Sequence, residues 1–184
     1  TTWFRRGVWR LRATGTGLVV ASATLDIDVA LSPGMTLELD VPANTKAGVP
    51  ADVTVTVRDG QGNVATGFTG TVALSDLDPK SNLPALLPLG ADHAGTRTIQ
   101  VTFATPGPNT VTARVGPLSD SAVTQVAPGS PYQIRLSAPG PAIAGQAQLA
   151  LVTIVDRFGN VANDPADPYT GTVTFEVVGT QPNP

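Results

Sequence analysis

One internal repeat limits the folds open to this chain more than any other feature of the sequence. The stretch VRDGQGNVATGFTGTVAL, residues 57–74, returns as IVDRFGNVANDPADPYTGTVTF, residues 154–175. The match extends upstream, where Gly145 takes the place of Gly48. A repeat of this length is an architectural unit before it is a chemical one, so the chain is expected to build the same unit at least twice.

The repeated unit carries the period of β-strands. Apolar residues alternate with polar ones in both copies, which predicts strands with one buried face. The corresponding apolar pairs are Leu37 and Ile134, Leu39 and Leu136, Val55 and Val152, and Val57 and Ile154. The second copy carries an insertion within NDPADP, which is expected to lie in a loop because loops accept insertions and strands do not.

The segment between the copies completes the first unit. TRTIQVTF (96–103) and TVTARV (110–115) alternate again, and SDSAVTQV (119–126) predicts a last, weaker strand. Together these segments predict about six or seven strands over residues 35–127. Pro-Gly pairs flank this span at 33–34 and 128–129, and they predict short linkers because proline stiffens the backbone and glycine turns it.

The linkers divide the chain into three predicted parts. Residues 34–128 form a complete unit, and residues 1–33 are expected to be the last strands of a preceding unit, since WRLRA is similar to TVTARV and TLDIDVALSPG is similar to SAVTQVAPG. Residues 129–184 are expected to be the first three or four strands of a following unit, with an apolar face that lacks cover. The sequence begins TTWFRR and lacks the apolar segment of a signal peptide, so we expect a fragment or processed piece.

The two copies and their flanks resemble a known family. AGVPADVTVTVRDGQGNVATGFTGTVAL and LPALLPLGADHAGTRTIQVTFATPGPNTVTARV are similar to the bacterial immunoglobulin-like repeats of large surface and secreted proteins, broadly the kind found in invasin- and intimin-like adhesins. The recurrent elements are Ala47-Gly48, Asp59 with Gly62-Asn63, the 68–72 run and the Gly95 turn. The resemblance covers most of residues 35–178. It implies an all-β fold of tandem immunoglobulin-like Greek-key sandwiches, one complete and two partial, at an extracellular or cell-surface location.

Composition excludes several classes of function. A net charge of −3 gives no basic face for nucleic acid, so no nucleic-acid partner is expected. No run reaches the roughly 18 apolar residues of a membrane helix, so no membrane insertion is expected. Cysteine is absent, which excludes disulfides and thiolate metal sites.

Acidic residues supply the only metal hypothesis. DGQGN (59–63) places oxygen ligands close together, but it lacks the acidic pairs and closing glutamate of an EF-hand loop and is interpreted as a hairpin turn. Asp76, Asp78 and Asp92 form a better candidate calcium set, with Asp164 and Asp167 as a second one near the other copy. The simpler interpretation of both sets is solvated loop acids, so no cofactor is expected and calcium is the open exception.

Two further groups of residues are candidates for binding or catalysis. His93 is the only histidine; it lies in the turn ADHAGTR without an activated serine, so no catalytic residue is assigned. Near the amino end, tryptophans and arginines are interleaved, and such segments stack sugars, bind anionic polymers or lie in protein interfaces. The candidate ligand or interface residues are Trp3, Arg5, Arg6 and Trp9. The alternative is an ordinary strand whose tryptophan fills a core.

These observations predict a non-catalytic structural or spacer repeat of an extracellular, adhesin-like or fibre-forming protein. The expected partners are neighbouring immunoglobulin-like repeats, or like subunits arranged head to tail through the two partial units. The alternatives are a module that binds a host or surface glycan or protein, and an accessory domain of a secreted enzyme.

Overall fold

Strands account for most of the regular structure in the described residues, as the alternation of apolar and polar residues predicts. The computed structural model describes residues 7–14, 22–29, 33–141, 143, 145–176 and 179. Within these residues there is no α-helix, and no helix is long and apolar enough to cross a membrane. The predicted all-β class is therefore confirmed. The chain divides into two units, residues 1–127 and 128–184, which are described in turn.

The described residues of the first unit form ten strands and one short 3-10 helix. The strands are β1 (Gly7–Thr14), β2 (Ser22–Val29), β3 (Thr36–Asp40), β4 (Asn44–Lys46), β5 (Pro50–Arg58), β6 (Gly70–Ser75), β7 (Leu86–Leu89), β8 (Thr96–Thr102), β9 (Gly107–Val115) and β10 (Leu118–Ala127). The 3-10 helix spans Ala91–His93. β1 and β2 pair with each other, and β3 to β10 form two further sheets.

The smaller of these sheets has three antiparallel strands in the order β3-β5-β8. Its central strand β5 alternates as predicted, and its inner residues Val53, Val55 and Val57 are fully buried. Burying a valine completely stabilises a fold by roughly 1.5–3 kcal/mol, so this strand is a main contributor to the core. The outer face is threonine-rich, and hydroxyl pairs join β5 to β8 across it.

The larger sheet has five strands in the order β4-β10-β9-β6-β7. All of its neighbours are antiparallel except β4 and β10, which run parallel. Its inner residues are buried and meet the core from the other side: Val72, Leu74, Leu87, Leu89, Val111, Ala113 and Val126. β3 lies beside β10, and the Leu39 amide donates a hydrogen bond of 2.8 Å to the Asp120 carboxylate. The two sheets therefore form a β-sandwich-like layer pair.

Three details of this unit differ from the sequence expectation. β10 has 10 residues and is the longest strand, although a weaker one was expected, because it pairs with β9 along nearly its full length. β7 and β4 were not expected. β7 contains Pro88, which a strand accepts at the edge of a sheet, and β4 has only three residues and forms the opposite edge.

The second unit contains a single described strand pair. β11 (Gln133–Ser137) and β12 (Leu151–Val155) are antiparallel and correspond in the repeat to β3 and β5. Residues 171–176, the counterpart of β6, are not a strand, contrary to the expectation of three or four strands. In the first unit β6 pairs with β7 and β9, and the described part of the second unit offers no such partners. The predicted separation of residues 1–33 from 34–128 remains a prediction.

Candidate functional site: the aspartate turns and the Pro-Gly linker

The turn after β5 is held by one aspartate side chain. Asp59 Oδ1 accepts hydrogen bonds of 2.9 Å from the amides of Gln61 and Asn63. Gly62 has a φ of +85°, in the left-handed region that glycine adopts without strain. The local sequence thus needs Asp, Gly and Asn for backbone geometry, which confirms the interpretation of DGQGN as a turn.

The second copy of the repeat builds the same turn after β12. Asp156 Oδ1 accepts hydrogen bonds of 2.9 Å from the amides of Phe158 and Asn160, and Gly159 has a φ of +88°. Asp156 is only 2% exposed. Burial raises the pKa of this carboxyl, but the hydrogen bonds from Asn160, Gly129 and Phe158 outweigh burial and leave the pKa below its ordinary value. The carboxylate is therefore charged at neutral pH.

Asp156 has a second role that the turn itself does not require. Its Oδ2 atom accepts a hydrogen bond of 3.0 Å from the Gly129 amide, in the predicted Pro-Gly linker. It also accepts one of 2.8 Å from the Asn160 side chain. The linker is thus tied to the turn of the unit that follows it.

The carboxyl end of the first unit is also held by backbone hydrogen bonds. The Ala127 carbonyl accepts a hydrogen bond of 2.9 Å from the Ala47 amide, and Ala127 pairs with Lys46 at the end of β4. Ala127 is therefore held in the first unit and Gly129 in the second. Pro128 is the one residue between these two anchors, and its ring fixes its own φ.

The other Pro-Gly pair, at residues 33–34, also contacts an aspartate turn, the one at residues 59–63. Gly34 has a φ of +82°, and a Cβ placed on it would lie 3.0 Å from the Gly60 Cα. Only a residue without a side chain allows so close an approach of two backbones. Each Pro-Gly pair thus lies against an Asp-x-x-Gly-Asn turn, by backbone contact in one case and by the Asp156 hydrogen bond in the other.

Asp78, one of the calcium candidates, is a buried structural acid. Its Oδ2 accepts hydrogen bonds of 2.6 Å and 2.9 Å from the amides of Ala104 and Thr105, and its Oδ1 accepts from the Thr105 hydroxyl and the Lys80 amide. Burial raises its pKa, and these donors lower it by more, so the net pKa lies below the ordinary value. The side chain fastens the loop after β6 to the turn after β8.

The other two members of that calcium set lie elsewhere. Asp76 has a buried Oδ2 without a hydrogen-bond partner, whereas Asp92 lies in the 3-10 turn beside His93. The His93 Nδ1 accepts a hydrogen bond of 3.0 Å from the Gly90 amide. In the part of the chain that the structure describes, no three histidine, cysteine, aspartate or glutamate side chains come together as a metal site.

The remaining candidates are placed as follows. Asp164 caps a surface turn by accepting a hydrogen bond of 3.0 Å from the Ala166 amide, and the Asp167 amide donates to the Asp164 carbonyl in the same turn. Trp3, Arg5 and Arg6 lie outside the described residues, and Trp9 lies in β1, where it pairs with Ile27. Ligand binding by this segment stays a prediction.

The sequence analysis missed the contact between Asp156 and the linker. The signal was present, because each Pro-Gly pair precedes a strand pair that ends in an Asp-x-x-Gly-Asn turn. However, the turn and the linker lie 27 residues apart in the sequence, so no local pattern joins them. No protein-family model matches this sequence, and no curated protein is similar enough to it to be matched.

Proposed function

We propose that this chain is a non-catalytic structural segment of an extracellular array of immunoglobulin-like sandwiches. In this proposal the chain supplies length and stiffness. Each sandwich moves as one body, and each linker restricts the movement of the sandwich that follows it. The extracellular location rests on the resemblance of the repeat to surface and secreted proteins.

The strand order supports an immunoglobulin-like arrangement of the complete unit. One sheet has the order β3-β5-β8, and the other places β9 between β10 and β6. The connections from β5 to β6, from β7 to β8 and from β8 to β9 each cross from one sheet to the other. Two sheets that are antiparallel apart from one edge pair and are linked in this way, over a span of about 100 residues, are similar to immunoglobulin-like sandwiches.

The observation that carries the proposal is the short distance in sequence between the two anchors of the linker. Ala127 is hydrogen-bonded into one unit and Gly129 into the next, so rotation of the linker is confined to the few torsions around Pro128. A hydrogen bond to a charged group contributes about 1.5–3 kcal/mol, so the Gly129 amide is held most of the time. Flexible linkers contain several free residues, and this one does not.

The acidic residues support a structural role as well. Asp78 and Asp156 are buried, and both oxygens of each accept hydrogen bonds from the chain's own donors. A general acid or base needs a free oxygen within reach of a substrate. These two carboxylates instead maintain loop geometry and the linker.

Single-molecule energy transfer between the two units tests the proposal. Because the sequence has no cysteine, Lys80→Cys and Asn163→Cys at exposed positions accept two dyes without further change. At about 100 pM, where association of copies in the micromolar range is negligible, we expect one narrow distribution of transfer efficiency. Pro128→Gly combined with Asp156→Asn should broaden it, because both restraints on the linker are then weakened.

A matched control separates the linker from the turn. Asp59→Asn makes the same chemical change in the same kind of turn but leaves Gly129 held, so the distribution should stay narrow. A parent chain whose distribution is already as broad as that of the double variant would refute the spacer proposal.

A further inference from the structure

The second unit leaves an apolar row exposed that the first unit buries. Ile134 and Leu136 in β11 are 46% and 64% exposed, whereas Leu37 and Leu39, their counterparts in β3, are 7% and 6% exposed. The sequence pattern is the same in both strands. β3 and β11 therefore differ in the segments that pack over them and not in their own apolar pattern.

The segment after the turn shows the same contrast. Tyr169 and Phe175 are 42% and 68% exposed, and their counterparts Phe68 and Leu74 are 6% and 5% exposed. β11 and this segment thus expose apolar side chains that the first unit buries, and exposed apolar side chains in groups mark interaction sites. We call the described residues within 133–175 the half-unit.

The first unit shows what covers these positions. There, β3 lies against the antiparallel pair β9–β10, and the Leu39 amide donates to the β10 side chain Asp120. The described residues of the second unit contain no counterpart of this strand pair. The cover that these positions have in the first unit is thus a pair of antiparallel strands, β9 and β10.

The chain contains a second strand pair with the register of β9 and β10. Aligning WRLRA with TVTARV places Trp9 in the position of Val111, and aligning the two Pro-Gly linkers places Ile27 in the position of Ala122. The structure pairs Trp9 with Ile27 in β1–β2, and it pairs Val111 with Ala122 in β9–β10. The alignment of β1 with β9 and the separate alignment of β2 with β10 therefore predict the same register that the structure shows.

The charges of the two ends are complementary. Residues 1–33 contain four arginines and two aspartates, whereas residues 128–184 contain two arginines, three aspartates and one glutamate. The first segment is therefore net positive by two charges, which Arg5 and Arg6 supply because β1–β2 itself is neutral, and the second is net negative by two. Opposite net charges favour encounter of the two segments and disfavour pairing of like ends.

We propose that β1–β2 of one copy docks on the half-unit of a second copy, in the place that β9–β10 occupies in the first unit. The contact is heterologous, so each copy offers one donor and one acceptor and the copies assemble head to tail. This inference rests on the proposed function, because it treats the half-unit as an incomplete repeat. The place of β8 stays unfilled, so we expect a Kd in the range of about 10–100 µM.

Light scattering of the 184-residue chain across about 1 µM to 1 mM tests the inference, a range chosen to bracket that Kd. The parent chain should grow beyond dimers as concentration rises. Leu136→Lys in the half-unit and Leu11→Lys in β1 should each remain at the monomer mass of 18.8 kDa. Mixed together, the two variants retain one intact donor and one intact acceptor, so they should form a complex of twice that mass and stop there.

Controls and contrary outcomes are equally specific. Gln133→Lys and Thr14→Lys make the same charge change at alternate positions of the same two strands, and both should assemble like the parent. Thermal unfolding of each variant verifies that the first unit is folded. A monomer at every concentration overturns the inference, as does a dimer that Leu136→Lys abolishes and Leu11→Lys leaves intact, since half-units would then pair with each other.

Failure of this inference leaves the spacer proposal intact, because energy transfer at picomolar concentration reports on the linker of single chains. Conversely, a broad transfer distribution together with head-to-tail assembly would refute stiffness and keep the docking contact.

Discussion

Substituting Asp78 by asparagine tests the claim that a buried carboxylate holds the complete unit together. Asp78 is 4% exposed and accepts four hydrogen bonds, two at each oxygen. The substitution keeps the shape of the side chain and removes its charge. Any loss of stability therefore reports on the charge and its hydrogen bonds rather than on packing.

The structure gives the size of the effect. The amide of the variant keeps one carbonyl oxygen, which is best placed toward the buried amide of Ala104 and the amide of Thr105. Its NH₂ group then faces the Lys80 amide, which is also a donor, so that bond is lost. Replacing bonds to a charged group by neutral ones and losing one bond should reduce the free energy of unfolding by about 2–4 kcal/mol.

The pH dependence provides a second signature. The pKa of Asp78 in the folded state is depressed below its ordinary value of 3.8, so its contribution is present above that value and is lost as pH falls through the folded pKa. The difference in unfolding free energy between Asp78→Asn and the parent should be full at neutral pH. It should shrink below about pH 4, because the carboxyl of the unfolded parent takes up a proton there, and it should vanish once the folded carboxyl is neutral as well.

Urea unfolding followed by far-ultraviolet circular dichroism at about pH 7, 4 and 2.5 measures both effects. Asp164→Asn is the matched control: its carboxylate caps an exposed surface turn, and we expect a change below about 0.5 kcal/mol. A neutral-pH difference for Asp78→Asn within the range of that control would refute the reasoning. A difference of the same size at all three pH values would refute the role of the charge.

Three further substitutions test the turns and the surface. Gly95→Ala should destabilise the first unit by more than about 3 kcal/mol in the same urea assay, because φ is +82° and a Cβ would collide with the Ala65 carbonyl. Gly62→Ala has a similar φ of +85° and open space around it, so it should cost only about 1–2 kcal/mol; equal losses would contradict the collision. Glu38→Gln breaks a half-exposed ion pair with Arg58 and should cost under about 1 kcal/mol, with the loss smaller in high salt; a larger, salt-insensitive loss would be contrary to this.

The alternation of β3 and β5 was predictable because it depends only on neighbouring residues. Leu37 and Leu39, and the valines of β5, recur at every second position and are buried in the first unit as expected. The turn at Asp59 was predictable for the same reason, since the side chain bonds to amides two and four residues away. Both are local properties that the amino-acid pattern carries by itself.

The edge strands were not predictable from such patterns. β7 contains a proline and β4 has three residues, so neither shows a strand period. Each is a strand because a neighbour in the sheet offers backbone partners: β6 for β7, and β10 for β4. Whether a short segment becomes an edge strand depends on the strand beside it, so its own β-propensity predicts it poorly.

The sequence by itself determined the repeat, the inward rows of its strands and the turns between them. Only the tertiary structure decided what the acids do: Asp78 meets Ala104 across 26 residues, and Asp156 meets Gly129 across 27. It also decided that the same apolar row is buried in β3 and exposed in β11. A local pattern shows which face of a strand is apolar. The segments that bury that face, and the donors that bond to the acids, lie far away in the sequence, and only folding brings them close.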